Sequence, residues 1–366
     1  MTPCIDGLRG LAILLVVLLH YLSSAAGGME RNLFRYFLRI FGIGWVGVDL
    51  FFVLSGFLIG GILLDAKSSD KYFKTFYLRR IHRIFPLYYA SLTLYILILV
   101  CGLYLGASRL ESSSVDLVRV PRYLLYIQNW SASGSPFEYF WLGPTWSLAV
   151  EEQFYLVAPV LIRFLSVRSL TTVLVGTVLV APLLRLLTFL FAPHGSIFAV
   201  NSTPCRADDL AMGMLGAVAV RSEWFWTFQE RHPRFISRAC FTLGLGMLGW
   251  LWWLLHPMIP STVSFGLSWV GLFCLSLILT ALTHPAGFVG RFARWRFLRR
   301  AGTLSYCIYI IHFPLNLLLH KMVEKFDVWN GLLLSLAAAG LTWGIASLSW
   351  RYFEKPLVQR GHSYSY

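Results

Sequence analysis

Apolar runs of about twenty residues, separated by short polar stretches, recur along the whole chain, which is the rhythm of a protein that crosses a membrane many times. The runs lie near residues 8–27, 43–65, 84–106, 144–165, 170–192, 206–221, 239–255, 261–282, 302–320 and 331–350. Each suffices to span a hydrocarbon core about 30 Å thick as a helix. The pattern therefore predicts an all-α fold, a polytopic transmembrane helical bundle of about ten spans. No internal repeat, low-complexity tract or long hydrophilic segment interrupts it, so residues 1–366 are expected to form a single membrane domain. The longest loop, near 107–143, carries RYLLYIQNW and EYFWLG, whose aromatics suit the membrane interface.

Composition agrees: 57% of the 366 residues are hydrophobic, 13% are charged, and mean hydropathy is +0.66. The formal charge of +14 follows from topology and does not call for nucleic acid as a partner. With the N-terminus inside, twenty Lys and Arg fall on the cytoplasmic side. Nine fall opposite: Arg31, Arg35, Arg39, Arg109, Arg119, Arg122, Arg206, Lys321 and Lys325. This bias places both termini in the cytoplasm. SSAAG after the first run resembles a signal-peptide cleavage site, but cleavage would remove Arg9 and His20 and leave an odd number of spans. The six cysteines are scattered, without CxxC or ligand-like spacing, and read as packing residues; no metal site is expected.

Ionisable residues inside hydrocarbon mark sites in the bundle interior, because each costs about 2.5 to 3.5 kcal/mol on insertion scales. In IDGLRGLAILLVVLLHY, Arg9 and His20 are eleven residues apart, three turns plus about 20°, so they share one helix face about 16 Å apart in depth. GVDLFFVLSGFLIGG places Asp49 roughly 9 Å below the outer end of the second span. That depth matches His20, so Asp49 reads either as the residue that orients the His20 imidazole or as a capping or helix-pairing aspartate. Its GxxxG step and Ser55 suit close helix packing. FYLRRIHRIFPLYY gathers Arg79, Arg80 and Arg83 ahead of Pro86, which is expected in the first turn of the third span, so that the helix N-terminus and the arginines form an anion site. In GPTWSLAVEEQFYL, Glu151 reaches the depth of His20, about 12 Å below the outer end, as a candidate for proton transfer or hydroxyl binding, while Glu152 is expected to pair with an arginine or a backbone group. PCRADDLAMG offers Arg206 and Asp208 either to a polar acceptor or as helix caps. With Ser55, Asn129 and Trp146 they complete the candidate substrate-binding set. His312, beside Pro314 in SYCIYIIHFPL, reads as structural, satisfied by a carbonyl freed at the proline.

The ordered set DGLRG with Arg9 and His20, FFVLSGFLI, RRIHRIFPLYY, WSLAVEEQFYL, the RAD triplet at Arg206, SYCIYIIHFPL and RYFEKP resembles the integral-membrane acyltransferase family 3, over nearly the whole chain. Members O-acylate bacterial surface sugars, glucans and some antibiotics. The resemblance implies essential roles for Arg9 and His20, donor binding by Arg80 and Arg83, and importance for Glu151. Many relatives carry an appended SGNH hydrolase-like domain, whereas this sequence resembles a stand-alone member.

Together these readings lead to an O-acyltransferase of the inner (cytoplasmic) membrane. It would move an acyl group, acetyl being the family's commonest, from cytoplasmic acyl-CoA to a hydroxyl of a carbohydrate or glycoside. Arginines hold the CoA phosphates; His20 is the general base or the transient nucleophile, with Asp49 or Glu151 stabilising its imidazolium. The alternative is a transporter or flippase of a polar or lipid-linked glycan, since midplane His and acidic residues also serve proton relays. Against it, the paired broken helices of repeated transporter halves are not seen.

Overall fold

Every predicted apolar run overlaps a helix. The computed structural model describes residues 3–25, 41–104, 113–131, 138, 141–250, 259–322 and 328–366, and among these there is no strand. The helices are α1 (Pro3–Ala25), α2 (Val46–Asp65), α3 (Tyr72–Tyr104), α4 (Ser113–Leu124), α5 (Trp146–Phe164), α6 (Val167–Phe191), α7 (Gly195–Asn201) and α8 (Thr203–Ala219). They continue with α9 (Glu223–Arg231), α10 (Phe235–Gly249), α11 (Leu267–Thr283), α12 (Phe288–Ala293), α13 (Arg296–Lys321), α14 (Val328–Ser349) and α15 (Lys355–His362). Seven of the described helices are long and apolar enough to cross a membrane. The three remaining expected spans coincide with α5, α8 and α10. Helix α5 carries the half-buried Glu151 and Glu152 and α8 the buried Arg206, Asp208 and Asp209, and α10 ends at Gly249, next to residues outside the described set.

Two glycine-mediated crossings set the positions of the central helices. At the α1–α13 crossing, a methyl group on Gly10 would lie 1.9 Å from the Leu298 carbonyl oxygen, and one on Gly302 would lie 1.8 Å from that of Asp6. At the α2–α8 crossing, Gly56 and Gly213 face the carbonyls of Leu210 and Val53 at 2.0 and 2.1 Å in the same sense. Without side chains at these positions the backbones reach contact distance. The GxxxG reading of Gly56 is thus met by a small residue on α8. Helix α6 is largely exposed along its length, an outer position suited to lipid.

The third span departs from expectation. Helix α3 starts at Tyr72, well before Pro86, which lies inside it. Arg79, Arg80 and Arg83 are therefore interior to a helix, and the anion site expected from a helix N-terminus rests on their side chains alone.

Contacts gather the basic loops at one end of the bundle. Arg221 pairs with Asp65 at 2.6 Å, Lys67 Nζ donates to the Leu165 carbonyl at 2.5 Å, Arg163 donates to the Lys67 carbonyl, and Thr75 Oγ1 donates to the Ser365 carbonyl at 3.0 Å. His284 Nε2 meets the Pro233 carbonyl at 2.6 Å. Of the charge count, Arg31, Arg35, Arg39, Arg109 and Lys325 lie outside the described residues, as does the end of SSAAG.

Candidate active site

Helices α1, α2, α3, α5 and α13 line an open cavity of about 110 Å³. Its polar lining consists of Arg9 from α1, Ser55 from α2, Arg80 and Arg83 from α3, Ser147, Glu151 and Tyr155 from α5, and Ser305, Tyr306 and Tyr309 from α13. Apolar side chains such as Phe51, Leu58 and Ile62 complete the wall.

The three arginines are half-buried cations without an ion-paired carboxylate among the described residues. Arg9 Nη2 donates to Ser305 Oγ at 3.0 Å. Arg80 lies over the rings of Tyr155 (5.7 Å) and Phe76 (5.9 Å), and its buried Nε has no hydrogen-bond partner. Glu354 acts on Arg83 only at longer range, its Oε1 being bonded to Ser349 at 2.9 Å. Like charges converge here because the arginines of α3 recur at i and i+3, on one face, and that face meets the start of α1. Buried charge is normally paired, so three convergent guanidinium groups form a ready receptor for a polyanion.

Glu151 belongs to this same level. Its Oε1 accepts from Ser55 Oγ at 2.6 Å and its Oε2 from Tyr155 at 3.3 Å, and Arg9 and Arg80 are its charged neighbours. The expected grouping of Glu151 with His20 gives way to a grouping with Arg9. Depth estimated from helix rise ignores tilt and leaves the facing direction undetermined. Glu152, 100° away around α5, has a buried Oε1 with no hydrogen-bond partner, in place of the expected arginine or backbone contact.

His20 lies beyond this lining. Ser147 and Tyr309, whose hydroxyls are 2.5 Å apart, line the cavity, and one turn further along α13 stands His312. His312 Nε2 is 3.0 Å from His20 Nδ1. His312 Nδ1 faces two carbonyls, Tyr309 at 2.8 Å and Ile308 at 3.1 Å. Carbonyls only accept, so His312 Nδ1 carries a proton and its Nε2 accepts from His20. The hydrogen-bond pattern thus assigns the His20 proton to Nδ1 and the lone pair to Nε2. His312 is tied to carbonyls as expected of a structural histidine, but its second nitrogen makes it the partner of His20.

Asp49 does not take that place. It is 1% exposed and accepts from Arg206 Nη2 at 2.6 Å, with Asp209 2.9 Å from the same nitrogen. Asp208 binds Arg185 through two 2.8 Å contacts. Nε and Nη1 of Arg206 have no hydrogen-bond partner among the described residues. Neither Arg206 nor Asp208 caps a helix; both sit in buried charge pairs. They hold α8 to α2 and α6 through fully buried charge pairs. Asn129 is likewise committed, donating to Thr203 Oγ1 at 3.0 Å and accepting from Gln153 at 2.8 Å. Trp146 packs edge-on against Phe52 at 6.1 Å. Arg79 points away from the cavity, donating to the Tyr364 carbonyl at 2.9 and 2.6 Å and stacking on Tyr366. Of the predicted set, the cavity unites Arg9, Ser55, Arg80, Arg83 and Glu151. Tyr155, Ser305 and Tyr309 were missed, since hydroxyl residues in apolar runs carry no distinguishing pattern.

Fold and site together define a multi-pass membrane protein with an intramembrane, cation-lined cavity. Residues 2–351 match the family model described as an acyltransferase domain, and the chain belongs to that family, acyltransferase family 3. The chain is 30% identical to the peptidoglycan O-acetyltransferase OatA of Listeria monocytogenes, over 98% of this chain and 56% of the relative. It is 28% identical to the putative peptidoglycan O-acetyltransferase YrhL of Bacillus subtilis, over 98% and 55%. A putative O-acetyltransferase of Staphylococcus aureus is 24% identical over 98% and 58%. The chain thus spans a little over half the length of these relatives. No solved structure matches it. The chain is thus a membrane domain of the acyltransferase family, and these relatives are named as established or putative O-acetyltransferases.

Proposed function

We propose that the protein is an acetyl-CoA-dependent O-acetyltransferase of the cytoplasmic membrane, with both termini and the basic end in the cytoplasm, acting on a carbohydrate hydroxyl. Peptidoglycan, named for its relatives, is the first acceptor to test. The observation that carries the reading is the convergence of Arg9, Arg80 and Arg83, without ion-paired carboxylates, at the basic end of one cavity. They would hold the phosphates of CoA, leaving its pantetheine arm to run up the cavity. The arm's reach is comparable to the roughly 16 Å of helix between Arg9 and His20.

In the chemical step, His20 Nε2 takes the proton of the acceptor hydroxyl as its oxygen attacks the thioester carbonyl carbon. His312 holds the ring in the tautomer that makes Nε2 the base, the orienting role that carboxylates fill in triads. The tetrahedral intermediate collapses with cleavage of the C–S bond, and the proton passes from His20 to the thiolate of CoA. The products are ester and free thiol. Glu151, held by Ser55 and Tyr155, faces Arg9 and Arg80 and so acts on donor position.

The test uses purified protein in nanodiscs with radiolabelled acetyl-CoA and soluble peptidoglycan fragments. Label is expected to reach the glycan as an alkali-labile ester, and His20→Ala is expected to stop transfer while CoA binding persists. Unchanged transfer in His20→Ala, or glycan movement without acetyl-CoA consumption, would overturn the proposal.

A further inference from the structure

Between residues 221 and 300 the basic end draws only on arginine: Arg221, Arg231, Arg234, Arg238, Arg291, Arg294, Arg296, Arg299 and Arg300, with no lysine. Topology does not discriminate between lysine and arginine, since either satisfies the inside bias. Binding of phosphate does, because the guanidinium fork engages its oxygens in pairs. All nine are exposed, and among the described residues only Arg221 is ion-paired, with Asp65. The other eight lie at two corners, α9–α10 and α12–α13, which are joined by the contact of His284 with the Pro233 carbonyl. Residues 284–300 contain no acid at all.

Exposed aromatics interleave with these arginines. Phe288 (78% exposed), Trp295 (57%), Phe235 (56%) and Trp224 (69%) stand out from the surface. Phe297 stacks on Trp343 of α14 at 5.2 Å, which anchors the start of α13. Such rings settle at the headgroup level of a bilayer and fix the depth of the neighbouring charges. The strip also reaches the catalytic helix, because Gly7 of α1 lies against the Ala293 carbonyl.

We infer that the arginine and aromatic strip formed by residues 231–238 and 288–300 binds the phosphate headgroups of anionic phospholipids in the leaflet it faces, the cytoplasmic one in the orientation proposed above. A lipid bound there braces the α12–α13 corner against the first turns of α1. The occupant is a lipid and not a free phosphate, because the rings beside the arginines need an acyl–headgroup boundary to bury against.

The test measures lipid retention and so does not depend on acetyl transfer. The protein is placed in nanodiscs of phosphatidylcholine with or without phosphatidylglycerol, and in detergent with glycerol phosphate. Native mass spectrometry is expected to show retained phosphatidylglycerol in preference to phosphatidylcholine. Phosphatidylglycerol is expected to raise Tm, and glycerol phosphate is expected to do neither. Replacing Arg294, Arg296, Arg299 and Arg300 together by Gln is expected to cut retention several-fold, and by Lys to cut it less. A second set, Arg231, Arg234 and Arg238 to Gln, guards against misfolding of the first. Equal retention of both lipids by the wild-type protein would overturn the inference, as would a Gln variant that keeps the preference, or glycerol phosphate that matches the lipid.

Discussion

His20 and His312, 292 positions apart in sequence, meet with Nδ1 and Nε2 3.0 Å apart, and the two carbonyls on His312 Nδ1 dictate which nitrogen of His20 is basic. Neither His20 nor His312 needs a carboxylate to fix its tautomer. The pair uses main-chain oxygens of α13 in that role, which suits a site inside a membrane, where a buried carboxylate charge would be costly.

His312→Ala is expected to lower kcat by about a hundredfold or more, the usual contribution of a well-oriented acid–base group, and to leave donor KM within about threefold. His312→Gln, which can still accept from His20 Nδ1, is expected to recover part of the loss. Steady-state kinetics in nanodiscs check this. A His312→Ala variant that changes only KM would remove the orienting role.

The three arginines of RRIHR should separate by face. Arg80→Ala and Arg83→Ala are each expected to weaken CoA binding by about 10- to 100-fold, the loss of a charge-assisted contact worth about 1.5 to 3 kcal/mol. Arg79→Ala, whose guanidinium is already engaged by the Tyr364 carbonyl, is expected to change it by less than about threefold. Calorimetric titration with CoA at two salt concentrations resolves these, with the wild-type affinity falling as salt rises.

The cationic half of the site was legible before any coordinates. Arg9, Arg80 and Arg83 lie toward the same end of their spans, and the spacing of Arg80 and Arg83 puts both on one helical face. Depth along a span follows from rise per residue, but the direction in which a helix turns its side chains, and its tilt, do not. For that reason Asp49, placed level with His20, turns out to face Arg206, and Glu151 joins the arginines. The role of Arg185, inside the fifth apolar run, is not legible in sequence because its partner Asp208 comes from another helix. Gly56 announced close packing through its GxxxG step, while its counterpart Gly213 could be recognised only once α2 and α8 were seen to cross.

Asp49 is therefore expected to behave as a structural residue. Asp49→Ala leaves the guanidinium of Arg206 with Asp209 as its one ion-paired carboxylate, and loss of a partner from a buried pair typically costs about 3 to 5 kcal/mol. The variant should show a markedly lower Tm and reduced yield. Whatever folded protein remains should keep its kcat per bound CoA. A variant with normal Tm and abolished kcat would return Asp49 to the chemistry.

The sharpest test of the packing is Gly10→Ala. The added methyl would sit 1.9 Å from the Leu298 carbonyl oxygen, which neither rigid backbone can relieve without the α1–α13 crossing opening. Overpacking of a well-filled interior usually costs about 1 to 3 kcal/mol, and a backbone clash should lie at or above the upper end. Because Arg9 is the neighbouring residue and Ser305, its partner, lies one turn beyond Gly302, the same opening should separate Arg9 from Ser305. The expected outcome is a fall in both Tm and CoA affinity, whereas Gly176→Ala, on the outer helix α6 where a methyl meets nothing within 4 Å, should alter neither. Thermal unfolding in nanodiscs alongside CoA titration distinguishes the two, and a Gly10→Ala variant with wild-type Tm would show that α1 and α13 do not cross as closely as described.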